Sequence, residues 1–202
     1  MKNKKVFVIA IIEIILIFLT IFLVYYYKSR KSGNNIINKS EEQLIEDILN
    51  IKAYNAKLDI TIETNKNVTK YVVSQKVENE KSIQEVLKPE NIAGVVTEYD
   101  GEQLKIRNNK LNLETTFQNY QYIVENKLWL NSFTKEFKES NKTKVNSKTD
   151  EIVLEINNTE NLYDTCKRLY IDKKTGKPTK LEIEDINKKM LVYILYTEIS
   201  IS

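Results

Sequence analysis

The chain has 202 residues, 42% hydrophobic and 29% charged, with only 4 Gly and 2 Pro, a composition that excludes disordered and low-complexity chains. It has no His and one Cys, Cys166. That removes the commonest general base and metal ligand, any intramolecular disulfide and any thiolate cluster, so neither catalysis nor a metal or other cofactor is expected. The net charge of +3 belongs to the N-terminus, where Lys2, Lys4, Lys5, Lys28, Arg30 and Lys31 surround an apolar run with one acid, Glu13; residues 32–202 carry 25 basic and 27 acidic groups, a balance that argues against a nucleic-acid partner.

Val6 to Tyr27 is a run of 22 residues, about 33 Å long as a helix and matched to a hydrocarbon core of about 30 Å. It exceeds a signal-peptide apolar region, and Tyr25-Tyr26-Tyr27-Lys28-Ser29 offers no small-residue cleavage site. Sixteen Leu, Ile, Val and Phe side chains at about 0.3–0.6 kcal/mol each outweigh about 3 kcal/mol for Glu13. The expectation is an uncleaved anchor over residues 1–31 with a single span at about 6–27, its tyrosines in the interfacial belt. Three basic residues on each side leave the orientation tied by charge count.

Residues 32–39 form a polar linker, and 40–202 are one domain. Ser40 with Gln43 three positions on forms a capping box, and Leu44, Ile45, Ile48 and Leu49 make one apolar stripe, so a helix runs to about Lys52. From Ala56 the period becomes two: Leu58, Ile60 and Ile62 alternate with Asp59, Thr61 and Glu63. Further strands are expected around Tyr71 to Val77, Ile83 to Leu87 and Val95 to Tyr99, the last turning at Asp100-Gly101 into Leu104 and Ile106.

Phe117, Tyr120, Val124, Leu128, Leu130, Phe133 and Phe137 then recur at spacings of three and four, which predicts one long or two short amphipathic helices between strands. Strands resume at Ile152, Leu154 and Ile156, at Leu162 to Ile171, and, past a turn at Thr175-Gly176-Lys177-Pro178, at Leu181 and Ile183, with another turn near Asn187 and Lys188. Met190 to Ile201 is apolar on both alternations and reads as a strand covered on both faces. The fold class is therefore α+β: an N-terminal transmembrane helix, then a curved antiparallel sheet of roughly eight to eleven strands lidded by helices on its concave face.

Phe117, Tyr120, Val124, Leu128, Trp129 and Phe133 are the candidate lining of a ligand or partner cavity, with packed core as the competing reading. Cys166 is expected to be buried and inert rather than reactive. Glu182 and Glu184 share one strand face and are expected to be solvated. The Asn-X-Ser/Thr triplets at Asn38, Asn67, Asn141 and Asn157 are what chance gives in a chain with 22 Asn.

The order of elements, the stretch Leu87-Lys88-Pro89-Glu90-Asn91 leading to Tyr99-Asp100-Gly101-Glu102-Gln103-Leu104-Lys105-Ile106, and the stretch Leu169-Tyr170-Ile171-Asp172-Lys173-Lys174-Thr175-Gly176-Lys177-Pro178-Thr179-Lys180-Leu181 resemble the LolA superfamily of lipoprotein carriers. Within it the chain is most similar to the clostridial spore germination lipoproteins of the GerS type, over residues 40–201. The resemblance implies an incomplete β-barrel lidded by helices, outside the cytoplasmic membrane, with an apolar cavity that accepts acyl chains in the carriers. The germination lipoproteins are held by a lipidated Cys; no Cys follows the apolar run here, so a transmembrane helix takes the place of the lipid. Such an anchor argues against ferrying cargo between membranes. The expected role is a membrane-anchored, non-catalytic binding module, partner or cofactor protein of envelope or spore cell-wall enzymes in germination or sporulation, with a lipid or lipoprotein acyl-chain chaperone as the alternative.

Overall fold

The computed structural model describes residues 39–79, 81–118, 128–158 and 165–202. The predicted span at 6–27, and Tyr120 and Val124 of the candidate cavity, lie outside the described residues. Among the described residues no helix is long and apolar enough to cross a membrane.

Ser40 opens helix α1 (Glu41–Leu49) with the predicted capping box: the Gln43 amide donates to Ser40 Oγ at 3.3 Å and the Ser40 amide to Gln43 Oε1 at 3.1 Å. Glu41 and Glu42 place negative charge in the first turn, where the helix dipole favours it. Leu44 and Ile48 are buried, one turn apart on one face. The helix stops at Asn50, short of the expected Lys52, and Asn50 Oδ1 accepts a 2.9 Å hydrogen bond from Lys138.

Among the described residues eleven strands follow: β1 (Tyr54–Glu63), β2 (Val68–Glu78), β3 (Lys81–Lys88), β4 (Val95–Tyr99), β5 (Leu104–Asn108), β6 (Leu113–Phe117), then helix α2 (Leu130–Glu139), β7 (Thr143–Ser147), β8 (Glu151–Asn157), β9 (Cys166–Asp172), β10 (Lys177–Glu184) and β11 (Met190–Ile201). They form one curved, unclosed antiparallel sheet in the order β6-β5-β4-β3-β2-β1-β11-β10-β9-β8-β7. Two meanders of sequence neighbours are joined at the middle, where β1 pairs the last strand: Leu58 lies opposite Tyr196 and Ile60 opposite Ile194. β6 and β7 are the two edges.

The period of two in β1 is the burial pattern observed, with Tyr54, Ala56, Leu58 and Ile60 inside and Asn55, Lys57 and Asp59 outside. One face of the sheet carries this core and is covered by the helices; it includes Val73 and Val77 of β2, Ile152, Leu154 and Ile156 of β8, Leu169 and Ile171 of β9, Leu181 and Ile183 of β10, and Ile194 of β11. Burying each such aliphatic side chain contributes roughly 1.5–3 kcal/mol, which is where a chain without a disulfide finds its stability.

Three expectations change. β11 is not covered on both faces: Ile194 and Tyr196 are buried, but Leu195 between them is 37% exposed on the reverse of the sheet, so its second apolar alternation faces outward. Phe117 is not in a helix. It ends β6, opposite Leu104 of β5, because Thr115 and Thr116 favour a pleated strand and that pairing extends the sheet. Among the described residues the central helix is α2 alone. Finally, β7 pairs along the whole outer side of β8 although its sequence shows no apolar alternation.

The turn at Asp100-Gly101 forms where expected but spans four residues, Asp100 to Gln103. Asp100 Oδ1 accepts from the amides of Glu102 at 3.1 Å and Gln103 at 2.8 Å, and Gly101 takes φ +99°, a conformation that side chains disfavour.

Candidate functional site

Helix α2 is fastened to the covered face by its first residues. Tyr54 Oη donates to Gln75 Oε1 at 3.1 Å and accepts from the Leu130 amide at 3.4 Å; Gln75 Nε2 donates to Gln84 Oε1 at 2.9 Å and to the Leu128 carbonyl at 3.4 Å. Two chain-distant strands thus receive the helix entrance. Apolar anchors follow: Trp129 is 3% exposed, Leu130 0% and Phe133 2%, and Phe137 stacks on Phe133 with ring centroids 6.1 Å apart. Lys167 of β9 reaches up from the same face to pair with Glu136 on the helix.

Of the predicted cavity lining, Leu128, Trp129 and Phe133 therefore come together at the foot of α2, Leu128 half-buried and the other two as packed core. Phe117 is separate from them, at the sheet edge and 43% exposed. Within the packed seam Trp129 Nε1 and Tyr196 Oη are buried with no hydrogen-bond partner among the described residues. Burial raises the Tyr196 and Tyr54 hydroxyls well above the ordinary tyrosine range, so both stay protonated.

The reverse of the sheet carries the charge. Arg168 donates from Nε to Glu155 at 2.7 Å and pairs through Nη1 with Glu184 at 2.8 Å. Burial works against the guanidinium, but the bonds from Glu184 and Glu155 outweigh it and raise its pKa further. Glu155 is held below the usual carboxylate range by Asn157, whose amide donates to it, and by Arg168. Beside this group Glu182 accepts from Tyr170 Oη and Lys180 Nζ, each at 2.7 Å, and Lys180 lies 3.8 Å from the Tyr170 ring centroid. The expectation that Glu182 and Glu184 are merely solvated is corrected: Glu182 is 8% exposed and Glu184's side chain 15%. No pattern along the chain marks this; the partners arrive across strands, at register positions known only once β9 and β10 are paired. Cys166 sits at the end of the same ladder, 8% exposed, its thiol pushed up by burial.

Two surface depressions accompany these features. One of about 590 Å³ lies over β1–β3 and β11 and is lined by Asn55, Lys57, Ser74, Lys76, Glu85 and Glu198, among others; one of about 260 Å³ lies past the end of α2, by Glu139, Asn141 and Asn157. Among the described residues no group of three or more His, Cys, Asp or Glu side chains is placed to hold a metal ion.

Solved structures of similar fold include an uncharacterized conserved protein from Thermus thermophilus, 11% identical, with 81% of this chain and 88% of that one covered and a TM-score of 0.52. A chain in the complex of the CwlD amidase from Clostridioides difficile with the GerS lipoprotein is 23% identical, with 80% and 96% covered and a TM-score of 0.51. A LolA superfamily protein from Nitrosomonas europaea is 12% identical, with 81% and 94% covered and a TM-score of 0.40. No curated protein matches. The resemblance read from the sequence holds at the level of fold. The model of the sporulation protein YdcC-like family matches residues 4–201, and the chain belongs to that family.

Proposed function

We propose that this chain is a non-catalytic binding module, held in the cytoplasmic membrane by Val6 to Tyr27 with residues 32–202 outside, that serves as partner protein of an envelope or spore cell-wall enzyme. The observation that carries the reading is the filled state of the covered face. Trp129, Leu130 and Phe133 occupy, at 0–3% exposure, the ground that an acyl chain would need. Membership of a sporulation family and the likeness in fold to a chain of an amidase–lipoprotein complex support the choice of partner class. A lipid or lipoprotein chaperone remains the second reading, favoured by Leu113 and Phe117, exposed on the same face toward its β6 edge.

The deciding experiment crosslinks the full chain in its own membrane, isolates it, and identifies bound proteins and extracted lipids by mass spectrometry. A cell-wall enzyme in near-stoichiometric amount is the expected result. A defined acyl lipid with no protein partner would replace this reading with the chaperone. Protease added to intact spheroplasts should digest the domain; full protection until detergent is added would overturn the orientation.

A further inference from the structure

The two edges of the sheet are built differently. β7 is flanked and studded by Lys142, Lys144 and Lys148, and lysines on an edge discourage the addition of another strand. β6, Leu-Glu-Thr-Thr-Phe, has no Lys and no Pro, every residue of it is exposed, and among the described residues it pairs only with β5. Leu113 at 61% and Phe117 at 43% exposure lie on its covered-face side, with Leu111 at 64% in the preceding turn.

On the other side a ladder of charge crosses the strands. Lys81 of β3 pairs with Glu98 of β4; Glu98 lies 3.7 Å from Arg107 of β5; Lys105 of β5 pairs with Glu114 of β6 at 2.9 Å. The sign alternates strand by strand, basic, acidic, basic, acidic, and ends at the edge on an acid. Directly opposed charges across strands attract when opposite and repel when alike. The strand that continues this sheet must therefore offer a base at the Glu114 row and apolar side chains at the Leu113 and Phe117 rows.

We infer that the β6 edge is the docking surface for an extended segment of a partner protein in which apolar and basic residues alternate, added as a twelfth strand. This rests on the partner-binding reading above and specifies where and how such a partner is held: main-chain hydrogen bonds supply affinity, and the two side-chain rows supply selection. Two copies of this chain joined β6 to β6 would set Glu114 against acid or threonine, with no base available in that strand.

The test titrates the full chain, in detergent micelles, with a capped peptide alternating valine and lysine and with its valine–glutamate counterpart. The valine–lysine peptide should bind the native chain and slow hydrogen exchange of β6 amides. Glu114→Lys should weaken it at least tenfold and reverse the preference between peptides, and Thr116→Pro, at a position whose amide faces away from β5, should abolish binding of both. Each variant is exposed-site, and unchanged thermal midpoints verify folding; Glu114→Gln, with an intermediate loss, serves as the milder check. Equal binding of both peptides to native and Glu114→Lys chains, protection outside β6, or concentration-dependent self-association protecting β6 would overturn the proposal. So would a cell-wall enzyme that still co-isolates with Thr116→Pro, a result that leaves the partner reading standing. If the native chain isolates no protein, that reading falls, and the peptide arm is still decided by its own outcome.

Discussion

Lys167 of β9 and Glu136 of α2 form an ion pair across the seam between sheet and helix, with the lysine side chain 8% exposed and the carboxylate 31%. Lys167 stands on the covered face, opposite Ile156 and Ile183, so its ammonium is surrounded by core. Removing the carboxylate weakens the pairing of that ammonium in apolar surroundings, where breaking a fully buried pair costs about 3–5 kcal/mol. Glu136 is one-third exposed and partly screened, so Glu136→Ala should cost about 2 kcal/mol. Lys167→Met keeps the stem and removes the charge, and should cost less. Urea unfolding of both variants checks the order; a neutral Glu136→Ala would show that the pair does not hold the helix.

Trp129 and Phe133 are the apolar half of the same attachment. Trp129→Ala and Phe133→Ala should each lower stability by about 3–5 kcal/mol, the range for truncating a buried aromatic side chain. Leu128→Ala, at a half-buried site, should cost about 1 kcal/mol. Thermal unfolding checks the ranking. A Trp129→Ala chain of native stability would mean that the indole lines an open cavity instead of filling it.

Where burial has a period, it is visible in the chain. Ser40 and Gln43 marked the start of α1, the alternation from Leu58 to Ile62 gave β1 its inner face, and Asp100-Gly101 placed the β4–β5 turn. The misreadings arise where one-dimensional pattern and burial part company. Phe117 fell into a 3/4-spaced aromatic series that begins in a strand and continues past it, so the spacing joined residues that belong to different elements. β7 offered only Val145 as an apolar residue, and that side chain is 46% exposed, because an edge strand need not bury a face. Leu195 satisfied an apolar alternation that covers nothing. The charged network on the reverse depends on Glu155, Arg168 and Glu184, brought together from three strands by registers that no local rule supplies.

That network sets an acid limit. The folded-state pKa of Glu155 lies below its ordinary 4.5, owing first to Asn157 and then to Arg168. A depressed carboxylate contributes stability that is complete above its unfolded pKa and is lost as pH falls through the folded value. The loss attributable to Glu155 should therefore begin near pH 4.5 and grow below it. Glu155→Gln removes this component, so the gap between native and variant urea midpoints should be widest at neutral pH and narrow on acidification. A gap constant from about pH 7 to pH 3 would mean that Glu155 stabilises by packing alone.

Cys166 offers a direct reading of how firmly the β8–β10 region is closed. Its side chain is 8% exposed, and burial lifts the thiol pKa, with Glu155, Glu184 and Glu182 adding to the lift and Arg168 opposing it. Both effects act against the thiolate, the reactive form: fewer thiolates exist at neutral pH, and reagent reaches them only when the strand opens. Alkylation of the native chain by iodoacetamide at neutral pH should thus be slower than that of the urea-unfolded chain by at least about a hundredfold, the factor set by an opening free energy of about 3 kcal/mol. Arg168→Met should speed it, because losing the guanidinium leaves Glu155 and Glu184 facing each other across β9 and loosens the strand more than it raises the thiol pKa further. Mass spectrometry of timed aliquots gives both rates. Native alkylation at the unfolded rate would place Cys166 on an open surface and make it available for a disulfide with a partner; a slower rate in Arg168→Met would show that the guanidinium acts on the thiol through charge and not by holding the strands together.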